Sequence, residues 1–102
     1  MKIEKNPANG KFYGVWNPAP NYNGRDVAPA TLGRTPLVWA ELTADALRFE
    51  KVNVIEGDPT CGYSNPAVFF ANDGQMLIAY NSGSEKDNNS CMAKLTIAKV
   101  RI

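Results

Sequence analysis

Asp73-Gly74, set between the apolar runs Ala67–Ala71 and Met76–Tyr80, constrains the fold of this chain more than any other feature. An Asp-Gly between apolar runs favours a tight hairpin, because these two residues tolerate the positive φ that a primed turn demands. A third run, Ala93–Ile102, follows the polar stretch Asn81–Ser90. Three such runs separated by turns predict a meander of antiparallel strands.

The same pattern occurs earlier. Asn9-Gly10 precedes Phe12-Tyr13-Gly14-Val15-Trp16-Asn17, and Gly10–Asn17 aligns with Gly74–Asn81 without a gap. Turn glycine, large apolar residues, aromatic and asparagine fall in register, the mark of a repeated supersecondary unit. Leu37–Leu42 is apolar on both faces apart from Glu41, as suits an interior strand. Phe49–Ile55 alternates imperfectly, and Glu56-Gly57-Asp58-Pro59 reads as the turn that ends it. A helix over Ala40–Lys51 is the local rival, since Ala, Leu, Glu and Arg favour helix. Against it, Thr43 and Asp45 stand where a hairpin turn belongs. Ala93–Ile102 loses its two-residue parity near Ile97-Ala98, which predicts a bulge or two-sided burial.

The expectation is an all-β chain with two antiparallel meander sheets. Strands fall over 2–5, 11–17, 36–42 and 48–55, then 67–71, 75–81 and 93–101. One domain spans 1–102, with a first blade-like sheet in 1–58 and a three-stranded second in 59–102. Pro18–Thr35, carrying Pro18, Pro20, Gly24, Pro29 and Gly33, reads as a long loop. Loops beyond about 15 residues in a compact domain are usually functional or disordered.

Composition narrows the function classes. With 11 basic and 10 acidic residues, a net charge of +1 and no charge run, neither nucleic acid nor a membrane surface is an expected partner. No apolar run is long enough to span a bilayer and no signal-peptide core follows Met1, so a cytoplasmic protein is expected. Cys61 and Cys91 are expected as free thiols in that compartment. The sequence contains no histidine, which removes Ser-His and Cys-His nucleophile pairs and every His-containing metal site. No metal or cofactor is expected.

A resemblance rests on particular stretches. Gly33-Arg34-Thr35-Pro36-Leu37-Val38-Trp39-Ala40, Glu56-Gly57-Asp58-Pro59 and Gly62-Tyr63-Ser64-Asn65-Pro66-Ala67-Val68-Phe69-Phe70 resemble the C-terminal part of sialidase-like proteins with neuraminidase (Asp-box) repeats. Gly14-Val15-Trp16-Asn17-Pro18 and Lys94–Val100 are similar to the same family. Thr43-Ala44-Asp45-Ala46-Leu47-Arg48-Phe49 keeps a hydroxyl, an aspartate and an aromatic of the Asp box, but lacks its glycine and is one residue short. The resemblance implies two blades of a six-bladed propeller, the four-stranded sheet being the unit of such folds.

That family uses an arginine cluster for the sugar carboxylate, a tyrosine nucleophile activated by a glutamate, and an aspartate acid/base. The resemblance makes Tyr63 the candidate nucleophile and Arg34 a candidate carboxylate ligand, with Trp16 and Asn17 beside them as substrate-binding candidates. The matching aspartate belongs to blades outside these stretches, so one chain does not complete the site. Plainer readings stand beside these. Tyr63 is a rim or core tyrosine, Arg34 a loop ion-pair partner, Trp16 and Trp39 core residues, and Glu56 with Asp58 a turn.

Three function readings stay open. One is a non-enzymatic sialidase-related propeller fragment that binds carbohydrate or self-assembles. Another is an exo-glycosidase whose site is built from several chains, and the third a globular domain with its ancestral function lost. Two blade flanks without neighbours and a last sheet one strand short predict a homo-oligomer, dimer or trimer.

Overall fold

The computed structural model describes residues 1–18, 34–45, 48–58, 60–84, 86 and 92–102. Cys91 and most of the Pro18–Thr35 stretch lie outside the described residues. Among the described residues there are seven strands: β1 (Lys2–Lys5), β2 (Phe12–Trp16), β3 (Leu37–Leu42), β4 (Phe49–Glu56), β5 (Cys61–Phe70), β6 (Met76–Ser84) and β7 (Lys94–Val100). They build two antiparallel sheets, ordered β1-β2-β3-β4 and β5-β6-β7. The chain is all-β, and the rival helix over Ala40–Lys51 is replaced by the pairing of Glu41 with Glu50 and Leu42 with Phe49. No helix among the described residues is long and apolar enough to cross a membrane.

The turns differ from the expected primed form. Gly74 takes φ +82, but Asn72 and Asp73 do not have positive φ. Gly74 N donates to Ala71 O at 2.9 Å, so an ordinary turn over Ala71–Gly74 ends in a left-handed glycine. This is the three-residue hairpin connection rather than the two-residue one. The β1–β2 connection repeats its chemistry. Gly10 has φ +73, and Lys11 N donates to Asn9 Oδ1 at 2.9 Å just as Gln75 N donates to Asp73 Oδ1 at 3.0 Å. The in-register repeat therefore extends to the side chain that closes each turn.

Bulges decide which residues face inward. β5 begins at Cys61, six residues before the expected 67, and a register shift lies between Ser64 and Ala67 where Asn65 adopts φ 52. One extra residue reverses the inward parity, which puts Tyr63 on the same face as Val68 and Phe70. β4 carries two shifts, between its partners Leu37/Val38 and Trp39/Glu41, the second at Lys51 with φ 52. They account for the imperfect alternation of Phe49–Ile55. β7, by contrast, pairs with β6 in unbroken register from Lys94 to Val100, so the bulge expected near Ile97 is absent. Its lost parity has another origin: Leu95 and Ile97 face outward and are 70% and 65% exposed.

The core lies between the sheets. Tyr13, Val15 and Leu37 of the first sheet meet Tyr63, Val68, Met76, Ile78 and Tyr80 of the second. Tyr13 packs on Phe70 with ring centroids 5.7 Å apart. Burying these side chains is worth about 1.5–3 kcal/mol each before entropy is counted. The repeat also fixes the sense of stacking. Tyr13 and Val15 point into the interface, whereas their repeat partners Leu77 and Ala79 lie on the far face of the second sheet. Across the strand pairs they join Phe69, Ala67, Ile97 and Lys99 there. That far face is apolar and open, with Phe69 56% exposed.

Candidate functional site

The ends of β4, β5 and β6 and the β4–β5 connection bring a cluster of polar side chains together. The bulges of β4 set Glu56 opposite Leu37, on the inner face, where its charge acts on the Tyr80 hydroxyl. Burial, then the Glu56 charge, pushes the Tyr80 phenol up to about 12. Tyr63 lies edge-on to Tyr80 with ring centroids 6.1 Å apart and is 4% exposed. Burial raises its phenol furthest from the ordinary value, with Cys61, Glu56 and Asp58 adding to the effect. Cys61 Sγ in turn donates to Asp58 Oδ2 at 3.6 Å, and Thr60 Oγ1 donates to Asp58 Oδ1 at 2.6 Å. Around this group, Tyr63 N donates to Arg34 O at 2.7 Å and Thr35 Oγ1 to Asp58 O at 2.9 Å.

The arrangement holds both phenols neutral through the physiological range. A neutral phenol donates hydrogen bonds well and attacks poorly, since a nucleophile needs a depressed pKa or an adjacent base poised to take its proton. Glu56 is such a carboxylate, but its charge raises both phenols rather than activating one. Among the described residues, no group of three His, Cys, Asp or Glu side chains can hold a metal ion.

Of the four candidates from the sequence, the structure joins Tyr63 with Arg34, through the backbone of Arg34, whose side chain is in an exposed residue. Trp16 stands apart. It alternates with Val15 along β2, so it points to the opposite face of the first sheet, where it stacks on Phe49 at 4.7 Å. Asn17 donates through Nδ2 to Pro36 O at 3.0 Å, a loop-fixing bond. Glu56, Cys61 and Tyr80 complete the cluster without having been singled out as partners of Tyr63. The Cys61–Tyr63 spacing of two was a signal, but the inward turn of Glu56 depends on two bulges that leave no mark in composition.

No family model, no curated protein and no solved structure matches this chain.

Proposed function

We propose that this chain is a non-catalytic pair of propeller-type sheets, related to the sialidase-like proteins, that associates with a second copy of itself. The observation that carries the reading is the open far face of the second sheet, where Phe69, Leu95 and Ile97 are 56%, 70% and 65% exposed. Leu77 and Ala79 fill the space between them. Lys99, bridged to Asp73 at 3.3 Å, is the charged side chain paired into that face.

The size of the face fits a dimer. Three strands over seven residues measure roughly 14 Å by 23 Å from ordinary spacing and rise. Two such pleated faces bury on the order of 1,000 Å², near the lower bound of a specific interface. On the back of the first sheet Val38 and Ala40 are 0% exposed, and the exposed apolar side chains, Ile3 at 45% and Val54 at 55%, stand on the outer strands β1 and β4 rather than in one continuous patch. A two-fold pairing of the open faces needs no other surface. The non-catalytic part of the reading is supported by Tyr63, which is buried and held neutral.

Light scattering at tens to hundreds of micromolar tests the assembly. The expected mass is twice the 11.1 kDa of the chain, returning to the monomer in Ile97→Asp with unchanged circular dichroism. A wild-type chain that stays at 11.1 kDa throughout overturns the reading. Hydrolysis of a sialoside reporter by the purified chain would overturn its non-catalytic part.

A further inference from the structure

Away from the tyrosine cluster, a cleft of about 340 Å³ opens between β3, β4 and the chain end after β7. Its walls include Trp39, Glu41, Glu50, Lys51, Asn53 and Arg101. The volume falls within the roughly 300–1,000 Å³ typical of small-ligand sites. Strand pairing builds it: Trp39 stands opposite Asn53 and Glu41 opposite Glu50, and the extra residue between them is taken up at Lys51.

The chemistry of the walls is specific. Like charges directly opposite one another destabilise a sheet, so the Glu41–Glu50 pair is not explained by strand pairing. Each carboxylate is held from outside the cleft by its own cation. Lys11 Nζ lies 3.1 Å from Glu41 Oε1, and Arg48 Nη2 lies 3.8 Å from Glu50 Oε1. Both bridges engage Oε1, so among the described residues Oε2 of each carboxylate is left to accept from a ligand. Asn53 donates through Nδ2 to Lys51 O at 2.6 Å, which leaves its Oδ1 as a further acceptor. Trp39, half-buried, is backed by the Tyr13 ring at 6.2 Å and supplies a fixed, flat apolar surface.

An apolar plate beside three acceptors matches a ligand with one apolar face and a rim of hydroxyl donors. We propose that this cleft binds a neutral pyranoside, its C–H face on Trp39 and its hydroxyls donating to Glu41, Glu50 and Asn53. Hydrogen bonds from hydroxyls to carboxylates are about twice as strong as neutral ones, which orients the ring. Lys51 and Arg101 on the walls offset the charge of the Glu41–Glu50 pair, so the cleft as a whole suits a ligand without net charge. The site does not depend on dimerisation, because Trp39, Glu41, Glu50 and Asn53, which would hold the ligand, all belong to the first sheet.

The test is an amide-shift titration of the full chain with methyl α-glucopyranoside and with methyl β-galactopyranoside, each to about 50 mM. That range suits a millimolar Kd, about 4 kcal/mol of binding. At least one glycoside is expected to move the signals of Trp39, Glu41, Glu50 and Asn53 and to quench tryptophan fluorescence. Glu50→Gln is expected to weaken binding at least 5-fold while remaining folded, because the Glu50 side chain is 54% exposed; Glu41→Gln serves as the second variant. The proposal is overturned by any of four results: no shift with either glycoside, shifts centred on Tyr63 instead, wild-type affinity in both variants, or tighter binding of the methyl glycoside of a sialic acid.

Discussion

Asn6 is 1% exposed and clasps the two sheets at their turns. Its Nδ2 donates to Gly74 O at 3.1 Å, across 68 residues of sequence, while its Oδ1 accepts from Ala8 N at 2.9 Å. Asn6→Ala removes both bonds. At about 1 kcal/mol net for each, the loss is about 2 kcal/mol, raised somewhat if the half-buried Gly74 carbonyl finds no water. For a domain of this size that lowers Tm by about 10 °C. Asn6→Asp separates the two roles. It keeps the acceptor for Ala8 N but turns a carboxylate oxygen toward the Gly74 carbonyl in a buried site, where an unpaired charge is costly. The aspartate variant should therefore be less stable than the alanine variant at about pH 7 and recover toward it at about pH 3, below the ordinary carboxylate value. Urea melts of the three proteins at both pH values measure this. The reasoning fails if Asn6→Ala costs under about 0.5 kcal/mol, the scatter of neutral surface changes, or if the aspartate variant shows no recovery in acid.

Two further outcomes are expected. A Cβ added at Gly14 would meet the Phe49 ring at 2.6 Å, and that ring is stacked on Trp16, so Gly14→Ala should cost about 1–3 kcal/mol. Phe49→Leu should relieve much of that cost, and simple additivity in the double-variant urea melts would count against the clash. The second concerns alkali. The fold raises the Tyr80 phenol to about 12 from an ordinary value near 10, so its contribution is complete below about pH 10 and is lost as pH rises through about 12. Tyr80→Phe should accordingly lose stability less steeply across that window than the wild type. Parallel urea midpoints for the two proteins between those pH values would refute it.

The order of strands was legible because turn chemistry and apolar runs coincide. Gly10 and Gly74 punctuate hairpins that the structure contains, and Leu37–Leu42 is interior as its two apolar faces require. The conformation within those turns was less legible, since Asp-Gly serves both a two-residue and a three-residue connection and only the backbone angles separate them. The start of β5 was hidden for a different reason. Gly62, Asn65 and Pro66 are poor strand formers in isolation, and pairing with β6 overrides their preference. That pairing, with its bulge at Asn65, also determines that Tyr63 is a core residue. The Glu56–Tyr80 contact and the Glu41–Glu50 pair both follow from register shifts in β4. A single residue of shift exchanges the two faces of a strand, and nothing in the spacing of Phe49–Glu56 records where the shifts fall.

Each ladder of backbone hydrogen bonds closes within its own half of the chain, because strands pair only with their sequence neighbours. A break at the β4–β5 connection would cut no ladder. Among the described residues, the halves are joined by the bond from Tyr63 N to Arg34 O, the Asn6 clasp, the Glu56–Tyr80 contact and the apolar side chains between the sheets. Strand pairing is thereby divided into two sequence-local sets joined by the docking of one sheet on the other; the β1–β2 and β5–β6 hairpins close small loops at modest entropic cost, and the β2–β3 connection closes a longer one. Any coupling between the halves in unfolding must therefore run through that docking, the hydrophobic interface above all, rather than through strand pairing.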